Sequence, residues 1–192
     1  MSETISYNLR YKDNYNYIST IDALTKFNLT TIHSQPKILK LILTFNFKII
    51  SFTEKKMIPF ILALELLTSQ KAAVTVSKKA VVTLKIRKGA FVGCKITLRN
   101  LNFYYFLDYL NLALSRSKTF QPLSIQKIKK SDTNSYLMEL QDLFNFFQLE
   151  LNLNHNLFLL YIVWVFNTHS FEKKTFLFSS VKSPINYKSL IK

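Results

Sequence analysis

Between Lys37 and Ile50 the chain alternates with a period of two. Leu39, Leu41, Leu43, Phe45, Phe47 and Ile49 fall on one side, and Lys40, Thr44, Asn46 and Lys48 on the other, with Ile38 and Ile42 among them. Successive side chains of a strand point to opposite faces, so this spacing predicts a strand with one buried and one polar, basic side. Whatever the chain builds must therefore contain a sheet with unlike faces.

The rest of the chain supplies partners for such a strand. Ile18, Ile21, Leu24 and Phe27 recur at helical spacing, which predicts a short amphipathic helix over 15–27, followed by a loop from Asn28 to Pro36. The nearly continuous apolar run from Met57 to Leu67 reads as a helix from its Ala, Leu and Glu content, with Pro59 near its first turn. Phe103, Phe106, Leu107, Leu110 and Leu114 form a second helical stripe able to pack across a sheet. Arg116 to Asp132 reads as a basic connector holding Pro122 and the cluster Lys127, Lys129 and Lys130, while Tyr136 to Glu150 fits helix or strand equally. Leu157 to Asn167 is apolar on both faces, which suits a central strand. The tail from Phe171 carries too weak a pattern to assign. Residues 1–14 are polar and read as a flexible extension ahead of one domain over 15–192.

Charge narrows the partners. The 192 residues are 48% hydrophobic, enough for a folded core, yet carry 26 Lys and Arg against 11 Asp and Glu, a net charge of +15. Eight of those cations lie between Lys71 and Arg99, inside a stretch from Leu66 to Leu107 that contains no acid. Solvated faces ordinarily mix signs, so a one-sign segment points to a polyanion, above all nucleic acid. Within it two runs alternate: Val82, Leu84 and Ile86 against Thr83, Lys85 and Arg87, and Ile96 and Leu98 against Lys95, Thr97 and Arg99. Each is read as a strand burying one face and presenting cations on the other. The only two glycines, Gly89 and Gly93, lie between them, where a positive φ or a close backbone approach requires the missing side chain.

Other chemistry finds little support. Two glycines cannot make a phosphate-binding loop, and His33, His155 and His169 show no metal-ligand spacing with the single cysteine. Cys94, set beside an apolar strand, reads as a core residue and not a nucleophile. The chain is therefore expected to be no enzyme, with no metal, cofactor or small-molecule substrate. The N-terminus has no apolar run and carries Glu3 and Asp13, unlike a secretory signal or transit peptide, and the longest apolar run is too short to span a bilayer, so a soluble protein is expected. Lys outnumbers Arg 22 to 4, and Phe, Tyr, Ile and Asn abound where Gly, Ala and Pro are scarce, as in products of A/T-rich genomes. Much of the aromatic content is thus coding bias and core packing.

The segment TSQKAAVTVSKKAVVTLKIRKGAFVGCKITLRN, followed by its amphipathic helix, resembles the signature of large-subunit ribosomal protein five, the universal protein of the central protuberance that binds 5S ribosomal RNA. The matching positions are Gln70-Lys71, Lys78-Lys79, Lys85-Ile86-Arg87, Gly89 and Gly93-Cys94-Lys95-Ile96-Thr97-Leu98-Arg99, in order and spacing. The resemblance covers residues 15–125 well and 126–192 loosely. It implies an α+β fold, an antiparallel sheet with helices packed on one face. It also implies that Lys40, Thr44, Gln70, Lys71, Lys95, Thr97 and Arg99 meet large-subunit rRNA, 5S rRNA where present, and that a loop with Ser77, Lys78, Lys79, Lys85 and Arg87 reaches the P-site tRNA. The C-terminal half is implied to face small-subunit protein thirteen. Thr83-Leu84, Gln121-Pro122 and Asn134-Ser135-Tyr136 depart from the family pattern, all three at positions where the family has glycine. Such divergence with A/T bias resembles a mitochondrion-encoded member, its place the ribosome of the matrix and not a plastid. The alternative is an RNA-binding ribosome maturation factor. Binding to an anionic membrane fits less well, because the cations follow strand alternation and not an apolar helix face.

Overall fold

The computed structural model describes residues 10–46, 54–84, 86–116, 125–127, 134–140, 146, 149 and 159–180. The chain begins there with a helical rod: α1 (Arg10–Asp13), a π-helical segment (Asn14–Ser19) and α2 (Thr20–Lys26). In the π-helical segment the Thr20 amide donates to the Tyr15 carbonyl, an i→i+5 bond. The widened turn brings positions four apart nearly into line, and the rod faces the core along Tyr11, Tyr15, Ser19 and Ala23. The predicted stripe is thereby displaced: Ile18 and Ile21 are 57% and 59% exposed. Small Ser19 and Ala23 let the rod lie close, and the Tyr15 hydroxyl donates to the Pro36 carbonyl at 2.9 Å. Residues 10–13, expected as part of a flexible extension, are already helical, with Tyr11 packed on the core.

Six antiparallel strands follow: β1 (Ile38–Asn46), β2 (Ala73–Val76), β3 (Phe91–Leu98), β4 (Ile125–Lys127), β5 (Ser135–Leu140) and β6 (Leu160–Phe166). Their order in the sheet is β2-β3-β1-β6-β5-β4. As expected, the strand at 157–167 is central; it pairs with β1 on one side and β5 on the other. The dry face is built from Leu41, Leu43 and Phe45, Cys94, Ile96 and Leu98, Tyr136, Met138 and Leu140, and Leu160, Ile162, Trp164 and Phe166. Leu39 leaves this face and is 55% exposed, because a bulge between Ile38 and Lys40 shifts the register against β6. Phe47 and Ile49, predicted for the same face, lie outside the described residues.

Helices α3 (Glu54–Thr68), α4 (Asn100–Arg116) and α5 (Phe171–Ser180) supply the core layer. All five residues of the predicted stripe, Phe103, Phe106, Leu107, Leu110 and Leu114, are buried on α4. From α3 come Ala63, Leu64 and Leu67, and from α5 Leu177 and Phe178. Trp164, fully buried, meets Phe103 and Phe178 edge-on, with centroids 6.2 and 5.2 Å away. Each such large apolar side chain contributes about 1.5–3 kcal/mol by leaving water. The result is the α+β fold anticipated, an antiparallel sheet with helices on one face.

Three local readings change. Helix α3 begins three residues before Met57, which moves Pro59 into the second turn. The run Val82–Arg87 is no strand. It holds a 3-10 turn at Val82–Leu84 and one isolated bridge, Val81↔Ile86, with Val82 89% exposed. An arm this narrow has no second layer on which to bury its apolar residues, so the alternation is not used. Within the expected connector, β4 pairs with β5 through Ile125↔Met138 and Lys127↔Tyr136, whereas Pro122, Lys129 and Lys130 lie outside the described residues. The ambiguous stretch begins as β5 and the unassigned tail begins as α5. Asn28, Ser69 and Asn100 take positive φ values of 47°, 54° and 53°, so polar residues serve turns that a glycine-richer chain would give to glycine.

Candidate nucleic-acid interface

The sheet face opposite the helices carries most of the predicted contacts. Register sets Lys95 opposite Thr44, and Thr97 opposite Ile42. One step beyond the Leu41↔Leu98 pair, the same register brings Lys40 and Arg99 alongside each other. On the outer side Ala73 lies opposite Lys95, so Gln70 and Lys71 lead onto the face from the end of α3. Lys71, Lys95, Thr97 and Arg99 are exposed; Lys40, Thr44 and Gln70 are half-buried. The seven residues thus come together over β1, β3 and the approach to β2. The carboxylate of Glu65, the last acid before the basic stretch, accepts from the Ala72 amide at 3.0 Å and fixes this approach.

The glycines explain how β3 fits. At Gly93 an added Cβ would collide with the Phe45 carbonyl oxygen and stand 3.3 Å from the Thr75 hydroxyl. Close approach of β3 to the Phe45 backbone, with the Thr75 hydroxyl on the other side, is what the missing side chain permits. Gly89 serves differently: its φ of 82° turns the chain at the base of the arm, with open space where a Cβ would stand.

That arm carries the second predicted group. The Ser77 amide donates to Ala90 O at 2.8 Å, and the Gly89 amide to Ser77 O at 2.9 Å, closing its base. The Ser77 hydroxyl donates to Lys79 O at 2.5 Å, and Val81 and Ile86 exchange bonds of 2.9 and 3.1 Å further out. Lys78, Lys79 and Arg87 are exposed, Ser77 is half-buried, and Lys85 lies outside the described residues. Among the described residues none of Lys71, Lys78, Lys79, Arg87, Lys95 and Arg99 has an ion-pair partner. Unneutralised cations on one face and one arm attract a polyanion and release its counterions on binding.

Cys94 is buried under this face. Burial pushes its thiol from the ordinary 9.0 up to about 12, against a smaller opposing effect of a hydrogen bond with the Phe45 backbone. That suits a core residue. No cluster of three potential metal ligands occurs among the described residues, and no helix among them is long and apolar enough to cross a membrane.

Sequence reasoning missed the other half of the face. Tyr161 of β6 stands opposite Thr44, and Glu139 of β5 opposite Tyr161. In the next row Ile42, Val163 and Leu137 follow one another across three strands. No periodicity marked them, because β6 is apolar on both sides.

No family model matches the chain. It is 38% identical to large ribosomal subunit protein uL5m of Reclinomonas americana over 122 residues, 63% of this chain and 67% of that protein. It is 37% identical to large ribosomal subunit protein uL5 of Nitrosomonas europaea over 119 residues, 61% of this chain and 66% of that protein. With uL5 of Nitrosomonas eutropha the identity is 35% over 113 residues, 58% and 63% of the two chains. The matched region therefore spans about two thirds of each relative. With 38% identity over two thirds of the mitochondrial relative, the chain belongs to the uL5 family of large ribosomal subunit proteins.

Proposed function

We propose that the protein is a structural, non-catalytic constituent of the large subunit of a mitochondrial ribosome, folded as one domain that includes the helical rod from Arg10, with its open sheet face clamped on rRNA. One observation carries this reading: Lys95 and Thr97 of β3 and Arg99 just after it alternate onto the face shared with Thr44 and Lys40, in a segment without an acid. Lysine and arginine displace counterions from phosphates, while Gln70, Thr44 and Thr97 set orientation by hydrogen bonding, so shape is read more than sequence. The arm with Ser77, Lys78, Lys79, Lys85 and Arg87 is the segment for P-site tRNA, and the C-terminal half is the side for small-subunit protein thirteen. 5S rRNA is the rRNA partner where the ribosome has one. The mitochondrial relative and the A/T-rich coding support the organelle.

Sedimentation tests the reading. A tagged copy expressed in its own organelle should stay with large subunits through a high-salt wash, and Lys95→Glu with Arg99→Glu should strip it into the soluble fraction. Wild-type protein that washes off would instead mark a maturation factor.

A further inference from the structure

The phosphate-binding reading leaves the centre of the open face without a use. Tyr161 sits there in a row that runs Lys95, Thr44, Tyr161, Glu139 across four strands. Beside it Ile42, Val163 and Leu137 make an apolar row, and Val165 extends it along β6. Among the described residues the Tyr161 ring and hydroxyl have no ring contact or hydrogen bond, unlike Tyr15 and Tyr136, which are engaged on the core side.

A duplex alone would be poorly matched to this centre. It presents phosphates with its bases stacked inside, and so favours a surface that is cationic throughout. Here the cations are confined to the β3 side, the middle is apolar, and a carboxylate stands on the far side. An unstacked nucleotide fits all three, because it has a phosphate, a π face and an edge bearing N–H donors. Resting on the rRNA-binding reading above, we propose that this row is a single-nucleotide subsite. An unpaired base of the RNA lies on Tyr161, the adjoining phosphate meets Lys95, and Glu139 accepts from the base edge. Neighbouring strands lie about 4.8 Å apart, so Lys95 and Tyr161, two strands apart, are separated by roughly 10 Å. One nucleotide and an extended lysine side chain cover that distance.

The test uses the full chain and two RNA probes: hairpins with a randomised single-stranded loop, and the same stems closed as uninterrupted duplex. Binding is measured across a salt series. Tyr161→Ser should weaken loop-RNA binding about 5- to 160-fold, the range seen for losing a stacked base, with the salt slope unchanged and duplex binding unaffected. Tyr161→Phe should bind as wild type. Tyr161→Leu, which retains apolar area without a π face and guards against misfolding of the serine variant, should resemble Tyr161→Ser. Lys95→Gln should weaken both probes and reduce the slope of log K against log salt by about 0.7–0.9. If the Tyr161 variants bind loop RNA like wild type while Lys95→Gln does not, the subsite is refuted and the cationic face stands. Equal losses on loop and duplex also refute the subsite. If neither Tyr161→Ser nor Lys95→Gln changes binding, the RNA-binding reading of the face fails as well.

Discussion

Replacing Gly93 by alanine isolates the steric requirement that lets β2, β3 and β1 lie side by side. The new methyl would run into the Phe45 carbonyl oxygen and stand 3.3 Å from both the Phe45 carbonyl carbon and the Thr75 hydroxyl. Backbone cannot yield as a flexible side chain does, so β3 must move away from β1 near the Asn46↔Gly93 and Phe45↔Cys94 pairs. Overpacking of this kind costs about 1–3 kcal/mol, and weakening one or two ladder hydrogen bonds adds about 1 kcal/mol. A total of about 2–4 kcal/mol lowers the melting temperature by about 4–16 °C in a chain of this length. Gly89→Ala is the internal control. It faces open space, and its φ of 82° costs about 1–2 kcal/mol, partly offset by about 0.4–1 kcal/mol from a stiffer unfolded chain. That leaves a drop of about 0–6 °C, centred near 2–3 °C. Asparagine, which tolerates positive φ, should recover most of the loss at position 89 and worsen it at 93. Melting followed by circular dichroism reads both series. Equal losses for the two alanine variants, or recovery by asparagine at 93, would refute the division of labour between the glycines.

Other outcomes follow from the same structure. Because burial raises the Cys94 thiol from 9.0 to about 12, the unfolded chain loses that proton first as pH rises; the stabilisation is complete below pH 9 and disappears toward pH 12. Cys94→Ala should reduce the fall of the denaturant midpoint over that window, leaving the part due to the buried Tyr15, Tyr104 and Tyr136 hydroxyls, and an unchanged slope counts against the assignment. Phe178→Ala, which removes a ring 5.2 Å from Trp164, should cost about 3–5 kcal/mol, read from the emission of this only tryptophan during urea unfolding. A cost under about 1 kcal/mol would show that the aromatic cluster repacks. Asn167→Ala removes the acceptor for the Lys37 amide at 2.7 Å and the donor to Gln35 O at 2.8 Å, and should cost about 1–3 kcal/mol by the same assay. Lys78→Gln with Arg87→Gln, on the arm, should leave the melting temperature within about 2 °C of wild type while weakening tRNA binding; a large loss of stability would mean that the arm is packed and not presented.

Legibility in the sequence tracked the clarity of the period. Strands β1 and β3 and helix α4 could be read because each has one apolar and one polar side, and the family signature covers the same stretch. The rod was misread because its π-helical turn replaces the 3.6-residue period with one that favours small residues four apart; Ser19 and Ala23 carry no hydrophobic signal to reveal it. Leu39 escaped its predicted face through a bulge, which depends on a partner strand more than a hundred residues away. At Val82–Arg87 the alternation was genuine as a pattern, but no second layer exists for it to bury against. The cationic half of the open face was legible from charge alone. Its Tyr161 and Glu139 half depends on how β6 and β5 pair, and local spacing does not encode that pairing.

The strand order also has a consequence for synthesis. Within the sheet the N-terminal half contributes β2, β3 and β1, the C-terminal half β6, β5 and β4, and the two sets of strands are joined along the β1–β6 ladder. Lys37 and Asn167, which tie that seam at one end, are 130 positions apart. At about 5–20 residues per second, the ribosome making this chain needs roughly 6–26 s between them. Once Leu98 has emerged β1 can pair with β3, but its other hydrogen-bonding edge stays open to whatever is nearby until β6 is made. Protection of the nascent chain is therefore needed most after Leu98 and until Phe166 emerges, a window that ends when β6 closes the seam.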